Sequence, residues 1–169
     1  MSAAASPRPS DITAAFWAAL YDRDWPRIRS FFGPDSVYFD VPTGPSTAGV
    51  GPDSIEARLR LGLEGLVGYE HHPGVVAEGP DGVVVTEHTE VWTWETGETV
   101  ALPFVSVQHV RGDRIALWKD YWDLQTLMSA APPAWHQRLD GADLSWVVDV
   151  TGRVEEHLAR FGAPASSRS

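Results

Sequence analysis

A chain of 169 residues, 43% hydrophobic and with eight tryptophans, has the length and apolar content for one domain around a real core, unlike aromatic-poor disordered chains. Its net charge of −10, from 13 Lys and Arg against 23 Asp and Glu, repels phosphate backbones and anionic lipid, which argues against nucleic acid and membrane as partners. The lack of cysteine excludes disulfides, thiolate nucleophiles and thiolate metal sites.

Residues 1–9 are small, Pro-containing and without periodicity, and are expected to form a disordered leader. No apolar run approaches the ~20 residues that cross a bilayer, and the start lacks a basic segment followed by an apolar one, so a cytoplasmic location is expected. Ser10 or Asp11 caps a first helix whose Ile12, Ala15, Phe16, Ala19 and Leu20 recur on one face, ending near Asp22. Trp25-Pro26 opens a short second helix, which Gly33-Pro34 stops. Ser36 to Val41 reads as a strand, Pro42 to Gly51 as a loop, and Pro52-Asp53-Ser54 starts a third helix with Ile55, Leu59, Leu63 and Leu66 at helical spacing.

From Tyr69 the pattern changes to strands: Tyr69 to Ala77, Val83 to Trp94, Thr99 to Val110 and Arg114 to Asp123. The short Gly-containing turns between them imply antiparallel hairpins. Arg111-Gly112-Asp113 is one of these turns and needs no adhesion function to explain it. Three helices followed by a four-strand meander predict an α+β fold, a cone-shaped barrel in which helices pack on a strongly curved, mostly antiparallel sheet around a cavity. That pocket-forming domain spans residues 10–130. A C-terminal helical extension is expected over 131–162, with Trp146, Val147, Val150, Val154, Leu158 and Phe161 on one face, then a disordered tail over 163–169. The extension is a candidate cover for the pocket mouth or a subunit interface.

Side chains alternate across a strand, so His88, Glu90, Trp92 and Trp94 share one face; Trp118, Asp120 and Trp122 share a face of the last strand. Carboxyl groups among large aromatics are costly to leave ionised without donors or a cation, an expense typical of acid/base sites. The plainer alternative is a wetted edge, or a structural pairing of His88 with Glu90. Tyr38 and Asp40 share a face of the first strand, and a Tyr beside a carboxylate is suited to holding water. His71 and His72, being adjacent on a strand, point to opposite faces and cannot both hold one metal ion; no metal and no cofactor are expected.

Tyr38-Phe39-Asp40-Val41-Pro42, Thr86-Glu87-His88-Thr89-Glu90-Val91 and Trp118-Lys119-Asp120-Tyr121-Trp122-Asp123, in that order after three helices, resemble limonene epoxide hydrolase. The resemblance runs from about Ile12 to Leu127, within the nuclear transport factor two-like superfamily that includes SnoaL-like polyketide cyclases, scytalone dehydratase and ketosteroid isomerase. It implies Asp120 as the base that activates water, Glu90 at the acid position, His88 where the family has Arg, and Tyr38 and Asp40 as the water-positioning pair, Asp40 standing where the family has Asn. Trp92, Phe104 and Trp122 are similar to its apolar pocket residues. It also implies a homodimer joined through the outer face of the sheet.

The leading expectation is a cofactor-independent acid/base enzyme for a hydrophobic small molecule, by epoxide hydrolysis or opening. His for Arg removes a fixed charge, and Asp for Asn adds a third carboxylate, so at least one of the three is expected to carry a proton. The His also keeps open a SnoaL-like cyclase, dehydratase or isomerase in which His88 works with a carboxylate. A non-catalytic ligand carrier is the third alternative.

Overall fold

The computed structural model describes residues 7–154. The expected leader up to residue 6, and the parts of the expected extension and tail from residue 155 onward, lie outside the described residues. Pro9 opens the first helix, α1 (Pro9–Tyr21), because a missing N–H is harmless in a first turn. The Asp11 carboxylate accepts the Arg8 N–H at 3.2 Å, and Ile12, Phe16, Trp17 and Leu20 are buried. Asp24 caps α2 (Trp25–Ser30) by accepting the Arg27 N–H at 3.2 Å. Helix α3 (Gly51–Leu63) starts at a glycine with φ of 80°, where a Cβ would stand 3.1 Å from the Pro34 carbonyl oxygen, so the bend that launches α3 needs glycine. Ile55, Leu59 and Leu63 form its buried stripe, as the spacing predicts.

Among the described residues seven strands form one sheet: β1 (Val37–Asp40), β2 (Ala48–Val50), β3 (Leu66–Glu78), β4 (Val83–Trp94), β5 (Thr99–Arg111), β6 (Arg114–Tyr121) and β7 (Val147–Val148), in the order β3-β4-β5-β6-β1-β2-β7. Strands β3 to β6 are the expected antiparallel meander, and β1 adds to β6 in parallel. The α+β class with helices packed on a curved, largely antiparallel sheet is as the sequence predicts. On β4 the residues Val84, Thr86, His88, Glu90, Trp92 and Trp94 are buried, alternating with less buried ones. Phe16 of α1 meets Trp118 of β6 edge to face at 4.9 Å, joining the helical layer to the sheet.

Several segments differ from the sequence reading. Helix α1 already starts at Pro9, inside the expected leader, so Ser10 and Asp11 lie in its first turn and neither is its N-cap. Leu66 starts β3 rather than continuing the third helix. Strand β6 stops at Tyr121, because Asp123 turns away to accept the Gln125 N–H at 3.0 Å and caps α4 (Leu124–Ala130). The expected 42–51 loop holds a helical turn (Pro45–Thr47) and β2.

The extension begins with α5 (Pro133–Asp140), but Trp146 and Val147 are not helical. The β-branched pair Val147–Val148 instead joins the free edge of β2, with Gly49 opposite Val147 and Ala48 opposite Val148. Helical backbone resumes only at residue 151, where Asp149 accepts the Thr151 N–H at 2.9 Å. On the outer face of the sheet Val105 and Tyr121, opposite each other across β5 and β6, are 40% and 43% exposed. Among the described residues no helix is long and apolar enough to cross a membrane.

Candidate active site

The parallel pairing of β1 with β6 sets Tyr38 beside Trp118 and Asp40 beside Asp120. All four side chains then face the interior, where the Tyr38 ring stacks on the Trp118 indole at 3.8 Å. Antiparallel pairing of β5 with β6 puts Ser106 opposite Asp120. The Ser106 hydroxyl and the Trp118 indole N–H both donate to Asp120 Oδ1, and the Tyr38 hydroxyl lies 3.3 Å from Asp120 Oδ2. The same hydroxyl lies 3.1 Å from Asp40 Oδ1.

A phenol has one proton, so Tyr38 can donate to only one of these carboxyl groups at a time. Asp40 is the better-equipped anion. Arg58 of α3 donates to its Oδ2 from Nε at 3.2 Å and Nη2 at 2.6 Å, and Trp122 donates to Oδ1 at 2.9 Å. Burial alone would weaken the guanidinium's hold on its proton, but Asp40 outweighs this and keeps Arg58 above its ordinary range. Arg58 also lies over the Tyr38 ring at 5.3 Å and donates to the Thr47 carbonyl oxygen. Asp120 has no such cation. It is 3% exposed, and burial, then the charge of Asp40, hold its carboxyl well above the usual aspartate range; the Ser106 bond opposes this without cancelling it. With Tyr38 donating to Asp40, a protonated Asp120 can donate back to the Tyr38 oxygen, which satisfies every partner in the chain. Burial and the neighbouring carboxyl groups also push Tyr38 up, so the phenol stays a donor.

Glu90, 4% exposed, has separate support. Its Oε1 accepts from Tyr69 at 2.9 Å and Tyr21 at 3.3 Å, and its Oε2 from the Trp92 indole at 2.8 Å. Burial first, then the charge of Glu90, pushes both phenols above their ordinary range.

Tyr38, Asp40, Arg58, Glu90 and Asp120 line one cavity of about 530 Å³. Trp92, Phe104 and Trp122 are among its walls, together with Leu59, Leu127 and Trp135. Leu144, Trp146 and Val147 of the extension also line it. The volume falls in the range of pockets for small organic molecules.

His88 is the one expected site residue that does not line this cavity. Its ring is packed between Trp17, at 4.7 Å, and Phe104, stacked at 5.3 Å. Its Nε2 lies 3.5 Å from Glu90 Oε1, and among the described residues no ion pair joins it to Asp120. The guanidinium of this site therefore comes from α3, on Asp40, and not from position 88. Arg58, Ser106, Tyr21 and Tyr69 are the site residues that sequence reading missed. A signal for Arg58 existed: it adjoins Leu59 in the apolar stripe of α3, one turn from Ile55, where a solvated arginine is out of place.

Residues 13–118, more than half of the chain, match the SnoaL-like domain model. The chain belongs to the SnoaL-like domain family. Solved structures agree with that. One assigned to the SnoaL-like polyketide cyclases, from Shewanella putrefaciens CN-32, superposes with a TM-score of 0.66 at 18% identity over 75% of this chain and 97% of its own. An LEH-like epoxide hydrolase from M. tuberculosis gives 0.61 at 25% identity, covering 74% and 90%. TerC, co-crystallised with polyporic acid, gives 0.60 at 23% identity, covering 79% and 98%. Both cyclase-like and epoxide hydrolase-like enzymes thus share the fold of this SnoaL-like domain.

The Asp120 environment has a measurable consequence. Because the folded state binds this proton more tightly than the unfolded chain, Asp120 supports folding below the ordinary aspartate range, and that support is lost as pH rises toward the folded-state value. Asp120→Asn keeps the hydrogen-bonding shape and removes the ionisation. We expect the melting temperature of the variant to exceed that of the wild type by a margin that widens between pH 5 and pH 8, about 2–4 °C for each 1 kcal/mol. A margin that is flat or shrinks with pH contradicts this placement of the proton.

Proposed function

We propose that this SnoaL-like domain opens an epoxide on a hydrophobic small molecule with water, using its own carboxyl groups for acid/base work and no cofactor. The supporting observation is the contrast between the two buried carboxyl groups facing one cavity: Asp120 is held toward its protonated form, while three donors converge on Glu90. An epoxide is strained but leaves a poor alkoxide, so one group must give a proton to the ring oxygen while another takes one from water. In this reading Asp120 gives its proton to the oxygen and Glu90 receives the one from water, the reverse of the roles that the resemblance implies. When Asp120 ionises, the Tyr38 hydroxyl transfers its bond from Asp40 Oδ1 to Asp120 Oδ2, and Arg58 leaves Asp40 able to release it. Trp92, Phe104 and Trp122 suit a lipophilic body. The likeness to the M. tuberculosis epoxide hydrolase-like structure, at 25% identity, also favours this reading.

Ring closure or isomerisation of a carbonyl compound is a second reading, favoured by the cyclase-assigned neighbours and by the fitness of a protonated Asp120 to polarise a carbonyl oxygen. The version with His88 as principal acid/base loses support, since His88 is off the cavity wall. An inert ligand carrier fits the open volume as well, and an absence of turnover would identify it.

Styrene oxide and trans-stilbene oxide in ¹⁸O-labelled water separate these readings. The expected products are diols with one labelled oxygen, and Asp120→Asn should lower kcat by roughly 10²- to 10⁴-fold. Wild-type turnover in that variant, or no diol from either epoxide, overturns the epoxide reading. The same reading includes a homodimer, supported by the exposed Val105 and Tyr121 at facing positions on the outer sheet. Light scattering should return twice the chain mass; a monomer mass rejects the pairing.

A further inference from the structure

His88 is the least exposed ionisable group among the described residues, at 2%, and neither of its ring nitrogens has a hydrogen-bond partner there. A buried imidazole without a partner forfeits on the order of 1–3 kcal/mol, so its position calls for an account. Packing explains the ring but not the nitrogens: Trp17 and Phe104 hold its faces, and a phenylalanine would fill that role.

The one acid beside it is Glu90, whose Oε1 stands 3.5 Å from His88 Nε2, just beyond a hydrogen bond and within a small side-chain adjustment of one. That same oxygen also accepts from Tyr69, which lines the cavity, and from Tyr21, which does not. The other titratable groups around the ring are few. His71 on β3 contacts it edge to face at 5.2 Å, and Tyr21 of α1 stacks on His71 at 4.0 Å. Asp120 on β6 lies within electrostatic reach of Glu90, and β5 contributes the Phe104 ring. Burial first, then His88 itself, push His71 down to about 4, so His71 is neutral at physiological pH and does not compete for a proton.

We propose that His88 is a positioning residue that holds the proton Glu90 removes from the attacking water. This rests on the epoxide reading for the identity of the water, but not for the pairing itself. When Glu90 has taken the proton, its O–H bond breaks as an N–H bond forms at His88 Nε2, leaving a carboxylate beside an imidazolium. Once product leaves and Asp120 must regain its proton, the N–H bond breaks, Glu90 is protonated again and passes the proton to Asp120 through water in the cavity. No proton is gained or lost over the cycle. With donors already on both of its oxygens, Glu90 has little room to keep a further proton, and a nearby imidazole relieves it without adding a charged group to the substrate cavity.

His88→Gln keeps a polar group of similar reach but cannot hold the proton. With styrene oxide as probe, kcat should fall roughly 10²-fold with KM within about twofold of the wild type, and the limb of the pH–rate profile belonging to the His88–Glu90 pair should disappear. A kcat within twofold and an unchanged profile overturn the proposal. The independent arm is ¹⁵N NMR of the imidazole nitrogens in the wild type and Glu90→Gln. The His88 Nε2 resonance should move between the two across pH 5 to 8, and identical spectra overturn the pairing whether or not any epoxide is turned over. If the wild type leaves styrene oxide untouched while the NMR difference is present, the epoxide reading fails and the pairing stands.

Discussion

A carboxyl group taken out of water needs either a cation or a proton, and the two aspartates that face each other across β1 and β6 meet that requirement differently. Asp40 has the guanidinium of Arg58 and the indole of Trp122. Asp120 has neutral donors only, and burial together with the charge on Asp40 keeps its proton in place. Tyr38, with a single hydroxyl hydrogen between them, transmits the state of one to the other. The rest of the interior is arranged around that asymmetry.

The fold supplies it through register. Parallel addition of β1 to β6 sets the two aspartates side by side, and antiparallel pairing of β5 brings Ser106 to the remaining lone pairs. Helix α3, launched at Gly51, carries Arg58 over the same face. The stacking of Tyr38 on Trp118, whose indole meets Phe16 edge to face, fixes the phenol from behind. Strand β7 and Trp146 close one side of the hollow, which raises the electrostatic weight of every charge inside.

Local periodicity carried much of this in the sequence. Period-two alternation placed Glu90 with Trp92, Asp120 with Trp118 and Tyr38 with Asp40, because a strand leaves a side chain only two directions to point. The meander was legible from its Gly-containing turns. What escaped depended on pairings between distant segments. Strand β2 is three residues long and exists because β1 and β7 flank it. Arg58 acquires its role only when α3 crosses β1, and Tyr21 and Tyr69 reach Glu90 from two other elements. Alternation also put His88 on the interior face correctly, yet could not tell the cavity wall from the packed layer of Trp17 and Phe104 behind it.

The proton on Asp120 is the central claim, and carboxyl ¹³C NMR reads it directly. With aspartate labelled at Cγ and the Asp120 signal assigned through Asp120→Asn, the resonance should remain at its protonated position at pH values where the exposed aspartates have already ionised. Replacing Asp40 by Asn should bring the transition to lower pH, since one of the charges that holds the proton is gone. An Asp120 signal that titrates together with the surface aspartates would contradict the account.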